Sequence, residues 1–139
     1  MTAIVTALAP KPVGAYPHAR RAGDMLYLSG VGPRSPIDNS IPGNVVDADG
    51  KLIAYDITAQ VLSVFANVRA VLEASGARWE QLIDVTVYLT DMARDFPIYN
   101  KLYAEHFGGP HAPCRTTLGI SSLPTPIAIE LKCVAWLGR

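Results

Sequence analysis

Hydrophobic residues recur along this chain with two periods, and the switches between them mark out its elements. Residues 25–31 (MLYLSGV) form a short apolar run between Gly23-Asp24 and Gly32-Pro33, which reads as a strand. Residues 33–50 hold Pro33, Pro36, Pro42, Gly43 and an Asp49-Gly50 pair, and are too long for a simple hairpin connection. They read either as a functional or interface loop or as a decorated surface loop. From Ile57 the period becomes helical. Ile57, Val61, Val64, Phe65, Val68, Val71 and Leu72 make one broad apolar face, with Asp56 or Thr58 as the cap and a stop near Gly76. Residues 82–90 return to period two, with Val85, Val87 and Leu89 on one face and Asp84, Thr86, Tyr88 and Thr90 on the other. A second helix is predicted to start at Asp95 with Pro97 in its first turn and to end at Gly108-Gly109-Pro110. Its stripe is Phe96, Tyr99, Leu102, Tyr103 and Phe107. Two strands, residues 114–120 and 127–137, close the chain.

The order strands, helix, strand, helix, strands predicts an α+β fold, a sheet with two helices, as one domain over residues 1–139. Each helix is about 10 Å across, so two of them cover one face of such a sheet and not both. The last strand is nevertheless apolar on both faces. Ile127, Ile129, Leu131 and Cys133 lie on one, and Ala128, Val134 and Trp136 on the other. The uncovered face calls for a partner, and another copy of the chain is the expected one.

Charge narrows the function classes. Twelve basic and twelve acidic side chains cancel, leaving no basic excess for nucleic acid or a membrane surface. No apolar run reaches membrane-spanning length, and residues 1–10 lack a basic leader, so a cytoplasmic location is expected. Cys114 and Cys133 form no CxxC pair and read as buried, reduced thiols. His18, His106 and His111 show no metal-ligand spacing, and no nucleotide-binding or hydrolase-elbow motif is present, so neither metal nor cofactor is expected.

What stands out is a pair of charges in apolar strands: Arg115 near the start of one, and Glu130 within Ile129-Glu130-Leu131 of the next. By spacing alone they form either a salt bridge across neighbouring strands or a functional pair. In the second case the Arg115 fork grips a substrate carboxylate while Glu130 holds a water.

The segment Pro113-Cys114-Arg115-Thr116-Thr117, with Glu130 fifteen positions after Arg115 in IELKCVA, resembles the closing motif of the Rid/YjgF imine deaminase family. Gly14-Ala15-Tyr16, Leu28-Ser29-Gly30, Asp95-Phe96, Asn100 and Phe107 fall in family order, so the resemblance runs over nearly the whole chain. Gly-Ala-Tyr-Pro-His (14–18), the 34–39 loop and Arg-Thr-Thr (115–117) resemble one branch, the 2-aminomuconate deaminases. The resemblance implies a chorismate-mutase-like fold, with a mixed sheet and two helices on one face, and homotrimers with sites between subunits. It implies that Arg115 binds the substrate carboxylate and that Glu130 positions or activates the hydrolytic water, with Tyr16 and Asn100 lining the site. Thr117 departs from the cysteine common in the broad imine deaminases and is similar to the aminomuconate branch.

The expected reaction is cofactor-free hydrolysis of an enamine or imine carboxylate, 2-aminomuconate giving a 2-oxo dicarboxylate (4-oxalocrotonate) and ammonia in aromatic-compound catabolism. The alternatives are a broad 2-iminoalkanoate deaminase and a non-catalytic trimeric binder of small carboxylates. A dicarboxylate needs a second cationic partner, for which His18, Arg20, Arg21 and Arg34 are the candidates.

Overall fold

The alternating strand of residues 82–90 and the apolar last strand pair with one another, forming the longest antiparallel ladder in the protein. The computed structural model describes residues 2–138. Its elements in order are β1 (Thr2–Ile4), β2 (Ala19–Ala22), β3 (Met25–Leu28), β4 (Val45–Val46), β5 (Leu52–Ala54), α1 (Ile57–Ala74), β6 (Leu82–Leu89), α2 (Met92–Phe107), β7 (Cys114–Gly119) and β8 (Ile129–Trp136). A 3₁₀ turn, Trp79–Gln81, leads into β6. The main sheet has six strands in the order β1-β2-β3-β8-β6-β7, and only the β6–β7 pair at its end is parallel. The fold is therefore α+β with a mixed sheet and two helices. β4, inside the 33–50 stretch read from sequence as turns, pairs with β5 just beyond it in a separate ribbon. β1 and β2 carried no alternating apolar signal, since β2 is Ala-Arg-Arg-Ala with one buried residue.

Asp56, not Thr58, caps α1, its carboxylate accepting from the Ala59 N–H at 3.3 Å. The helix stops where Gly76 takes φ of +71° and the Ala77 N–H reaches back to the Leu72 carbonyl. Among the described residues α1 is the one helix long and apolar enough to cross a membrane by length and composition, although no continuous apolar run is that long. Its apolar face is packed on the sheet.

The second helix starts earlier than predicted. Asp91 accepts from the Arg94 N–H at 3.1 Å, so α2 begins at Met92 and Pro97 falls inside it. Asp95, read as the helix start, is instead fully buried, and its Oδ2 accepts from the Tyr55 hydroxyl at 2.6 Å. A carboxylate at either position could serve as a cap, and only the packing of Tyr55 separates them.

Register assigns each side chain to a face. Val85, Val87 and Leu89 on β6 pair with Cys133, Leu131 and Ile129 on β8, and all six are fully buried beneath the helices. Tyr88 pairs with Glu130 and Thr86 with Lys132, on the opposite, outer face. That face also carries Tyr27, Val134, Leu118 and Trp136, and Tyr27, Leu118 and Trp136 are exposed. Ala128, read as facing outward, is buried, because its N–H donates to Oε1 of the buried Gln60. Cys133 is buried, and burial pushes its thiol up to about 12, whereas Cys114 is exposed at the start of the end strand β7.

Candidate active site

Arg115 and Glu130 do not meet within one chain. β7 and β8 are not neighbours, since β6 lies between them. Arg115 pairs in register with Val85 and so lies on the helix face, while Glu130 pairs with Tyr88 and lies on the outer face. A cross-strand salt bridge between them is excluded. Among the described residues neither has an ion-pair partner.

The Arg115 half is built by the edge strand and α2. Arg115 donates from Nη1 to Oδ1 of Asn100 at 2.9 Å. Its guanidinium lies over aromatic rings of α2, 4.7 Å from the Tyr103 centroid, 5.5 Å from Tyr99 and 5.9 Å from Phe96. Ring faces attract a cation without neutralising it. The guanidinium is thus held in place with most of its five N–H donors uncommitted, at an exposed edge. Such a fork has the geometry to pair with an anion, above all a carboxylate. Thr117 lies on the same face two residues on, and its buried hydroxyl forms no hydrogen bond with the described residues.

The Glu130 half lies across the sheet. Glu130 is half-buried, and desolvation holds its carboxyl above the usual range. It packs on Gly30, where an added Cβ would come within 2.9 Å of the carboxyl carbon and of Oε2. Lys132, two residues along the same face, donates from Nζ to the Leu28 carbonyl, and burial lowers its pKa. The Pro17 carbonyl accepts from the Ser29 hydroxyl at 2.8 Å, which ties the end of β3 to the 5–17 loop. Tyr16, His18, Ser29, Gly30 and Arg34 line a cleft at this junction.

Most of the residues proposed for a second carboxylate are already engaged. His18 is buried, with Nδ1 accepting from the Thr6 N–H at 3.3 Å and Nε2 2.8 Å from the Pro10 carbonyl. Both ring nitrogens serve the backbone, so His18 is a clamp for the 5–17 loop and offers nothing to a substrate. Arg34 donates to the Lys11 carbonyl at 2.7 Å and to Asn39 at 3.0 Å, and Arg21 donates to the Gly23 carbonyl at 2.8 Å. Tyr16 is exposed, and its hydroxyl accepts from the Val13 N–H at 3.3 Å.

The profile of the endoribonuclease L-PSP family matches residues 6–137. A RutC family protein of Pyrococcus horikoshii is 38% identical over 133 residues, covering 96% of this chain and 95% of its own. The 2-iminobutanoate/2-iminopropanoate deaminase of Dermatophagoides farinae is 31% identical over 132 residues, covering 94% of this chain and 92% of its own. Among solved structures, RidA from an Antarctic Psychrobacter superposes with a TM-score of 0.84 at 26% identity, over 98% of this chain and 99% of its own. The chain belongs to the Rid/YjgF (L-PSP) family.

Within this Rid/YjgF fold, sequence reasoning missed Lys132, Gly30, Tyr99 and Tyr103 as parts of the two halves. Lys132 could have been found as a second charge in an apolar strand, at the two-residue spacing that shares a face with Glu130. Gly30 and the two tyrosines gave no such signal. A glycine after a strand and aromatics on a helix stripe both read as ordinary packing.

Proposed function

We propose that the chain is a hydrolytic deaminase of enamine and imine carboxylates acting on 2-aminomuconate, at a site completed between copies of the chain. The observation that carries this reading is two charged groups without an ion-pair partner among the described residues. Arg115 is fixed by Asn100 and aromatic rings but not neutralised, and Glu130 is a half-buried carboxyl with no ion-pair partner. The deaminase relative from Dermatophagoides farinae supports the reaction class. Arg115 on the edge strand of one copy and Glu130 on the outer face of the next together make a carboxylate clamp facing an acid–base group. The exposed Tyr27, Leu118 and Trp136 on that outer face supply apolar area for the contact.

The reaction then runs in four steps. The substrate carboxylate pairs with Arg115, orienting the enamine. Tautomerisation, in which carbon gains a proton and nitrogen loses one, gives the imine. Glu130 takes a proton from the water that attacks the imine carbon and passes it to nitrogen, giving the carbinolamine, then relays the carbinolamine hydroxyl proton to nitrogen as the C–N bond breaks, leaving the 2-oxo acid and ammonia. A carboxyl with a raised pKa suits this exchange, because it releases and accepts protons nearer neutral pH than an ordinary glutamate. Imines hydrolyse unaided in water, so orientation and proton transfer are enough.

For a dicarboxylate, Lys132 is the second cation. It shares a face with Glu130, and its half-buried ammonium, which gives the Leu28 carbonyl one of its three donors, gains from a carboxylate partner. The contrasting reading is a deaminase of short 2-imino acids in general. The reading is tested by supplying freshly generated 2-aminomuconate and, separately, 2-iminopropionate, and following ammonia against the spontaneous rate. Faster release from aminomuconate, with that preference lost in Lys132→Met, supports the dicarboxylate. Equal acceleration of both gives the general deaminase, and acceleration of neither leaves a carboxylate-binding protein.

A further inference from the structure

Behind the Arg115 guanidinium lie three buried hydroxyls, those of Tyr99, Tyr103 and Thr117, and none of them makes a hydrogen bond. Tyr99 is fully buried, and its hydroxyl is turned towards both Thr117 and Arg115. The Tyr99 hydroxyl faces Thr117 and Arg115 yet stops short of hydrogen-bond geometry with either. Buried polar groups are almost always satisfied, so three orphans around one cation call for an explanation.

We infer that Tyr99 and Thr117 form a hydroxyl relay that closes behind Arg115 when the guanidinium takes up a carboxylate, with an Arg115 N–H donating to the Tyr99 oxygen and the Tyr99 O–H to the Thr117 oxygen. The inference rests on the carboxylate-clamp reading of Arg115 and makes both residues positioning residues, not contacts of the substrate. The stereochemistry suits it. A phenol both accepts and donates, and arginine carries five donors, of which Asn100 takes one. Burial holds the Tyr99 phenol above its ordinary pKa, so it keeps the proton that it donates. Thr117 lies beside Val87 on the helix face, which it shares with the arginine two residues before it. The relay turns the fork to present a fixed pair of N–H groups outward, the arrangement bidentate carboxylate binding requires.

The test uses the full-length protein and two readouts. One is the affinity for 2-oxobutanoate, a stable 2-oxo acid, measured calorimetrically. The other is the steady-state kinetics of imine hydrolysis. Tyr99→Phe keeps the ring and removes one hydroxyl that is unbonded in the free protein, so its melting temperature should not fall. It should weaken 2-oxobutanoate binding about tenfold and raise KM much more than it lowers kcat, since orientation of the clamp acts on bound substrate and transition state alike. Thr117→Val should do the same to a smaller extent, and Thr117→Ser should restore binding. Because the two hydroxyls act in series, the double variant Tyr99→Phe/Thr117→Val should be no weaker than Tyr99→Phe alone. Binding by Tyr99→Phe within twofold of native, or losses that add in the double variant, would overturn the relay while leaving the clamp intact. A native protein that binds no 2-oxo acid would overturn both.

Discussion

The two halves of the site are built on opposite principles. The Arg115 half sits on an edge strand and a helix, where aromatic rings and Asn100 hold a cation at an exposed rim. The Glu130 half sits on the long inner strand β8, where burial holds a carboxyl above its ordinary pKa and Gly30 leaves room for it. In the proposed mechanism the first works by geometry. The second shifts its charge and works by titration. Under the proposed function the difference lets one sheet serve a two-part chemistry: the strand edge offers reach, and the outer face of an inner strand offers partial desolvation. With the sheet standing between them, the proposed reaction needs a second copy of the chain.

The largest effects should come from removing either charge. Arg115→Ala and Glu130→Gln are each expected to lower kcat/KM for imine hydrolysis by about 10²–10⁴-fold, read as ammonia release above the spontaneous rate. They should differ in kind. Arg115→Ala loses 2-oxo acid binding as well, while Glu130→Gln retains it. Arg115→Lys should rescue little, because an ammonium lacks the fork. A smaller loss, about tenfold in kcat, is expected for Gly30→Ala, whose methyl group displaces the Glu130 carboxyl without touching Arg115. If Gly30→Ala instead weakened carboxylate binding and left kcat alone, the division of labour would be wrong.

The pH profile separates the halves more finely. With Glu130 as base, kcat/KM should fall as pH drops through a pKa above the usual carboxylate range, and Glu130→Gln should abolish that limb. Stability should move in the other direction. Glu130 and the fully buried Asp95 both have folded-state pKa values raised chiefly by burial. Their neutral forms are favoured by folding, so that contribution is complete below the ordinary carboxylate pKa and is lost as pH rises through the folded value. The smallest predicted effect follows. Asp95→Asn should flatten the decline in melting temperature from mildly acidic to mildly basic pH and leave 2-oxo acid binding intact, since Asp95 bonds Tyr55 and belongs to neither half.

Much of the fold was legible because the signals were periodic. The stripe of α1, the alternation of β6 and the apolar inner face of β8 each follow from apolar residues repeated at one spacing, whereas the outer face of β8, read as apolar, carries Glu130 and Lys132 beside Val134 and Trp136. β1, β2 and the β4–β5 ribbon were not legible, being short, exposed and dependent on partners distant in sequence. At the site, Arg115 and Glu130 stood out as charges in apolar strands. Their separation to opposite faces did not, because spacing within a strand says nothing of which strand lies between two others. His18 misled for a related reason. A histidine in a loop looks available until the Thr6 N–H and the Pro10 carbonyl are seen to occupy both of its nitrogens.

That the two halves meet between copies can be tested by complementation. Arg115→Ala and Glu130→Gln chains, each inactive alone, are co-expressed in equal amounts and the mixed oligomers assayed for imine hydrolysis. If Arg115 of one copy works with Glu130 of the next in a closed ring, about a quarter of the sites in a random mixture carry both native residues, and activity returns to about that fraction of native. Mixed oligomers as inactive as the two parents would contradict it.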